Sequence, residues 1–230
     1  MGKRTDYFHF SVLILLLPML FPACAGAPPM IEQLFWQLDV VLDQNSRRQH
    51  EELSLFLMVD DADGIGDVDE MIICHEEQEL AWRIPAEDLR RIEREGETWI
   101  GASGLQMNDR SPLPRGNYTV EVIDKAGEKD EDEFFFQRKI SGLQDGDIDL
   151  ALFPDFSLNA TAKLYQDQQL SVFLYNQRKE FVNSETIQDG FIDRETLQRW
   201  RNSEIFEIWL HTYNREDGFG LVSGPYGIKP

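Results

Sequence analysis

The chain has only two cysteines, Cys24 and Cys74. Two cysteines allow one disulfide at most, so stability must come chiefly from an apolar core. Basic residues are scarce too: 22 Lys and Arg stand against 42 Asp and Glu, a net charge of −20. Such a surface repels phosphate backbones and anionic headgroups, so no nucleic-acid partner is expected, nor electrostatic binding to lipid. Histidines number four (His9, His50, His75 and His211) and stand apart, with no HExxH or Cys-His spacing. That argues against a zinc site. No G-x-S-x-G elbow, phosphate-binding loop or dinucleotide fingerprint occurs. The apolar run Phe10–Phe21 is shorter than the roughly 18 residues of a membrane span.

What is present begins at the N-terminus. Lys3 and Arg4 precede that apolar run, and small residues follow at Ala23-Cys24-Ala25-Gly26-Ala27. Positive start, apolar middle and small-residue end form an export signal. Phe21-Pro22-Ala23-Cys24 resembles the lipobox of bacterial lipoproteins, in the looser form that spirochaete lipoproteins tolerate, although Phe21 and Pro22 depart from the usual pattern. The resemblance implies a lipid-modified Cys24, a membrane partner reached through the acyl anchor, and a periplasmic or surface-exposed place in the cell envelope. Ala23-Cys24-Ala25 equally fits plain cleavage after Ala25. The expected organisation is a signal peptide over 1–24, a stiff Ala27-Pro28-Pro29 spacer within 25–30, a sandwich over 31–140 and a second β-rich module over 148–230. One elaborated domain remains an alternative to two.

At 42% hydrophobic residues, 230 residues suffice to bury a core. Ile31–Leu42 reads as a first strand and Gln44–Glu51 as a polar turn. Strand-like runs follow at Leu53–Val59, Val68–Cys74 and Leu80–Ile84, separated by turn residues. Pro85–Gly96 reads as a short helix, with proline first, acids in the first turn and glycine at the stop. Trp99–Leu105 is another strand. Tyr118, Val120 and Val122 alternate with Thr119 and Glu121 after the turn Leu113-Pro114-Arg115-Gly116-Asn117.

This Leu-Pro-Arg-Gly-Asn-Tyr-Thr-Val stretch, with the Asp124–Gly127 turn after it, resembles the penultimate strand of Ig-like and fibronectin-III-like domains. The resemblance implies a mainly β fold, an Ig-like β-sandwich, with Tyr118 as its corner-locking ring. Ser141–Asp147 reads as a linker. Beyond it, Ala162–Tyr165, Leu170–Tyr175, Glu180–Val182, Ile205–Tyr213 and Phe219–Ile228 read as β segments. Asp193 caps a second short helix with Leu197 and Trp200 as its apolar side. Ile84–Leu89 ahead of Trp99 faintly echoes Ile192–Leu197 ahead of Trp209.

One loop carries distinctive chemistry. Asp61-Ala62-Asp63-Gly64-Ile65-Gly66-Asp67 with Asp69 and Glu70 resembles thrombospondin type 3 and dockerin calcium loops. That resemblance implies calcium on Asp61, Asp63, Asp67 and Glu70. Val59 stands where the first ligand belongs, and an Asp-Gly turn bonded to its own backbone accounts for the same residues without a metal. No other cofactor is expected, and no catalytic residue is assigned. Cys74, in an apolar run, reads as a small buried hydrophobe. The expected role is non-enzymatic binding or structural work at the envelope, with a protein or carbohydrate ligand. Two alternatives stand beside it, a calcium-stabilised adhesion module and an envelope hydrolase or carbohydrate binder. A clustered pocket with perturbed carboxylates favours the last; smooth sandwich faces do not.

Overall fold

A computed structural model describes residues 27–137, 149–152, 158–161, 170–187, 192–214 and 218–228. The signal segment with Cys24, the 141–147 linker and the expected strand at 162–165 lie outside these residues. The first long hairpin joins β1 (Met30–Asp43) and β2 (Arg48–Asp60). Its turn is tied by Asp43, whose Oδ1 accepts the backbone N–H of Asn45 at 2.9 Å and of Ser46 at 3.1 Å. Leu38 opposes Leu53 and Trp36 opposes Leu55, so one face of the hairpin is apolar along its middle.

That face meets a four-stranded sheet made of β3 (Val68–His75), β4 (Leu80–Pro85), β7 (Gly116–Asp124) and β8 (Lys129–Phe136), ordered β4-β3-β7-β8. Trp36 packs on Phe134 and Phe136, each 5.6 Å away. Leu38, Leu55, Leu57, Met71, Ile73, Val120 and Val122 are all fully buried between the layers. Each such side chain contributes about 1.5–3 kcal/mol by leaving water.

β5 (Arg90–Arg94) and β6 (Glu97–Leu105) extend the hairpin sheet in the order β1-β2-β6-β5. In immunoglobulin lettering this sheet is A-B-E-D, facing C-F-G with β4 added beside C. The chain is thus mainly β, and its two sheets form an Ig-like sandwich.

Residues 85–96 correct an expectation. They form the end of β4, a turn and β5, not a helix. Glu95 and Gly96 both have positive φ, 57° and 89°, the backbone of a two-residue hairpin turn whose twist suits paired strands. That turn sets Ile92 opposite Trp99, and strand pairing overrides the helix-like spacing of Leu89 and Ile92. The echo with residues 192–197 fails for the same reason.

The tyrosine corner forms as expected: Tyr118 Oη donates to the Pro114 carbonyl at 2.8 Å. Its ring stacks on Phe134 at 5.1 Å and meets the buried His75 edge-on at 4.7 Å. Burial pushes the phenol well above the ordinary tyrosine range; Arg115 pulls it down and Glu51 pushes it up. Glu51, on β2, clamps the neighbouring connection. Its carboxylate accepts the Leu113 N–H at 2.9 Å and both Arg115 Nη atoms at 2.8 and 2.7 Å. The Arg115 guanidinium also lies 4.2 Å over the Phe136 ring.

The remaining strands are β9 (Asp149–Leu152), β10 (Leu158–Thr161), β11 (Leu170–Asn176), β12 (Phe181–Ile187), β13 (Ile205–Asn214) and β14 (Phe219–Gly227). β9 and β10 pair with each other. β14 runs parallel to β1, with Asp39 opposite Gly220 and Asp43 opposite Gly224. The result is one eight-stranded sheet, β12-β11-β13-β14-β1-β2-β6-β5, drawing strands from both sides of the expected linker.

The single α-helix among the described residues, α1 (Arg194–Asn202), starts at Asp193, whose carboxylate accepts the Thr196 N–H at 2.6 Å. Leu197 and Trp200 are its buried side, and Trp200 Nε1 donates to Glu185 of β12 at 2.9 Å.

Candidate functional site

Strand alternation gives the eight-stranded sheet a second face. From β1 this outer face receives Phe35, Gln37, Asp39, Val41 and Asp43; from β2, His50, Glu52, Ser54 and Phe56. β11 adds Phe173 and Tyr175, and β13 adds Trp209 and His211. Together they line a cleft of about 970 Å³. Its walls come from distant strands: Arg90 and Ile92 of β5 border the same space as Tyr175 of β11. Burial pushes the Tyr175 phenol up, Arg90 pulls it down, and Glu207 and Glu52 push it up. Arg90 and Tyr175 border one space although their strands stand six places apart in the sheet, so the sheet curls.

Two glycines of β14 make room on the cleft floor. A Cβ at Gly220 would overlap the Asp39 carboxylate and come within 2.9 Å of His211 Nε2. A Cβ at Gly224 would lie 2.6 Å from the Trp209 indole. At these two positions side chains from β1 and β13 reach over β14 with no side chain of its own between them, while Val222 lies between the two glycines on the same floor. His211 Nε2 is 3.6 Å from Asp39 Oδ1. Gln37 Nε2 donates to Asp39 Oδ1 at 2.7 Å and lies 3.4 Å from His211 Nε2. The amide carries two hydrogens, enough for both neighbours. Phe173 stacks on the His211 ring at 5.3 Å and fixes its plane.

A second polar group stands beside the first. His50 is 8% exposed, and its Nε2 lies 2.8 Å from Glu52 Oε1. His50 and Gln106 line the cleft, while His50 Nδ1 and Gln106 Oε1 are themselves sealed from it and have no hydrogen-bond partner among the described residues. Arg90 donates to Ser103 Oγ at 2.6 Å, and Arg110 lies 3.4 Å from Asp43 Oδ2. Burial raises the Asp43 carboxyl, but hydrogen bonds from Ser46 and Asn45 outweigh it and hold the group below its usual range.

This arrangement offers aromatic surface, carboxylate and amide acceptors, imidazoles and two guanidinium groups. No hydroxyl or thiol is hydrogen-bonded to His50 or His211 in the manner of an activated nucleophile, among the described residues.

The expected calcium residues are placed elsewhere. Asp61 Oδ1 accepts the Asp63 N–H at 2.8 Å, a side-chain turn of the kind aspartate makes in connections. Asp67 accepts the Lys125 N–H through its backbone carbonyl at 3.0 Å, and Lys125 Nζ donates to the Gly66 carbonyl at 2.6 Å. Glu70 makes a two-pronged bond to Arg83, at 3.0 and 2.9 Å. The four are not brought together: among the described residues no three or more His, Cys, Asp or Glu side chains form a metal-holding group. Cys74 is a half-buried free thiol whose ionisation burial suppresses, Glu121 and Glu76 adding to the effect and Arg83 opposing it.

Sequence reasoning missed the cleft. His50 and Glu51 fall in what reads as a polar turn but is the start of β2, and Glu52 lies just before the expected Leu53–Val59 run. Gly220 and Gly224 read only as a glycine-rich strand.

No family model matches the chain and no curated protein does. Among solved structures, the crystal structure of dimeric latent PorU from Porphyromonas gingivalis is similar at a TM-score of 0.30 and 14% identity. That match covers 88% of this chain and 20% of the other, so the chain spans about a fifth of it. A crystal structure of Dpr11 IG1 bound to DIP-gamma IG+IG2 is similar at a TM-score of 0.24 and 11% identity, covering 86% of this chain and 98% of that one. Scores of this size carry no argument, and the Ig-like assignment rests on the strand order. What the structure shows is an Ig-like sandwich with one sheet extended.

Proposed function

We propose that this chain is an exported cell-envelope protein, anchored through an acylated Cys24, that binds a ligand in the outer-face cleft and does no chemistry on it. The observation carrying the binding role is that cleft: a rigid sandwich presents one side, and four further strands complete it. Concave, largely apolar surfaces with a few convergent polar groups are where ligands bind. The export signal and lipobox-like residues support the address, and the Pro28-Pro29 spacer suits a tethered domain. Among the described residues no helix is long and apolar enough to cross a membrane.

Two measurements test the reading. Mass spectrometry of the mature N-terminus should find acyl groups on Cys24 and none in Cys24→Ala. An unmodified chain starting at Gly26 removes the anchor. Purified protein should be retained saturably on delipidated envelope fragments, and Asp39→Ala with Trp209→Ala should abolish retention while circular dichroism stays native. Equal retention of both proteins removes the cleft.

A further inference from the structure

Resting on that binding role, we propose that the cleft takes an uncharged glycan, a short run of sugar rings lying across the seam between β13 and β1. Strand pairing favours this class over a peptide. An extended peptide docks by adding backbone hydrogen bonds to a free sheet edge. Here β13, β14, β1 and β2 are each paired on both sides. Only side chains are offered on the face, and a ligand held there must be recognised through them.

Those side chains suit a sugar. A pyranose ring has apolar C–H faces and a rim of hydroxyls. The Trp209 indole covers the Cα of Gly224 and borders the cleft, giving a flat apolar platform. Within the same cleft stand the Gln37–Asp39–His211 group and Glu52, acceptors and donors for hydroxyls.

Charge selects against anionic ligands. The cleft is lined by four carboxylates, Asp39, Asp43, Glu52 and Asp88, and by two arginines, one bonded to Ser103 and the other near Asp43. Phosphorylated or uronic sugars would meet a surplus of like charge.

The test uses the full-length chain and a panel of tetrasaccharides: cellotetraose, maltotetraose, mannotetraose and chitotetraose, with tetragalacturonate and a neutral tetrapeptide as controls. At least one neutral tetrasaccharide should bind by calorimetry and change the tryptophan fluorescence. Trp209→Ala should weaken it at least about tenfold, or 1.4 kcal/mol, and Asp39→Asn should weaken it with thermal stability unchanged. The acidic sugar and the peptide should not bind. No binding by any neutral tetrasaccharide, or binding that ignores both substitutions, overturns the proposal. Retention on envelope fragments that Trp209→Ala abolishes but no neutral tetrasaccharide competes sinks the glycan and leaves the binding role standing.

Discussion

The two faces of the eight-stranded sheet are made from the same strands and do opposite things. On β1, Leu38 points inward and is fully buried, while its neighbour Asp39 points outward into a polar group with Gln37 and His211. On β2, Leu55 is fully buried and Phe56 lines the cleft. The inner residues interlock with a second sheet, so their cost of removal is set by packing. The outer residues line a cleft with no second sheet over it, and the polar ones among them contribute less to the fold. Core packing and cleft lining are thus separated by a single step along the chain.

Leu38→Ala should break the inner face, lowering unfolding free energy by about 4 kcal/mol in denaturant titration, because the cavity cannot collapse between two sheets. Asp39→Ala, one residue on, should cost within about 1 kcal/mol in the same assay. If both cost the same, the division of labour is false.

Glu51→Ala should follow Leu38→Ala in size, at about 3 kcal/mol, because it leaves the Arg115 guanidinium partly buried and removes the acceptor of the Leu113 N–H. Charge reversal at both positions should recover less than half of this, since Leu113 still lacks its acceptor.

Tyr118→Phe is smaller, about 1 kcal/mol at neutral pH, for the lost bond to Pro114. It has a second signature. The folded phenol holds its proton more tightly than an unfolded one, by burial. The unfolded state therefore loses its proton first, and stability is full below about pH 10 and falls as pH rises above it. Unfolding curves from pH 8 to 11 should show that fall in the wild type and a shallower one in Tyr118→Phe. Tyr175, also raised, supplies part of the remaining slope.

The smallest effect belongs to the acidic loop. Its turn is bonded to itself and Glu70 is engaged by Arg83. Millimolar calcium should shift the melting temperature by less than about 1 °C, roughly 0.25 kcal/mol for a chain of this size; a larger rise would revive the ligand set Asp61, Asp63, Asp67 and Glu70.

Local chemistry was legible in the sequence wherever it acts locally. Tyr118 after its proline-glycine turn announces the corner, Asp193 announces α1, and the alternation of Tyr118, Val120 and Val122 announces β7. The helix-like reading of residues 85–96 fails because the deciding partner, β6, is not in that window. The cleft is further from sight. Gln37 and His211 are 174 residues apart, and nothing near either marks the other. Their meeting depends on parallel pairing of β1 with β14 and on missing side chains at Gly220 and Gly224, and an absent atom leaves no hydrophobic pattern to read.

The pairing of β1 with β14 also fixes an order of events. As the polypeptide is made, β1 to β8 with their two facing sheets emerge well before Gly220 and Gly224. The outer cleft waits for β13 and β14, and the same late ribbon brings the buried Phe219 and Leu221. Damage to it should therefore cost the cleft and part of the core together, a loss that a folding assay registers.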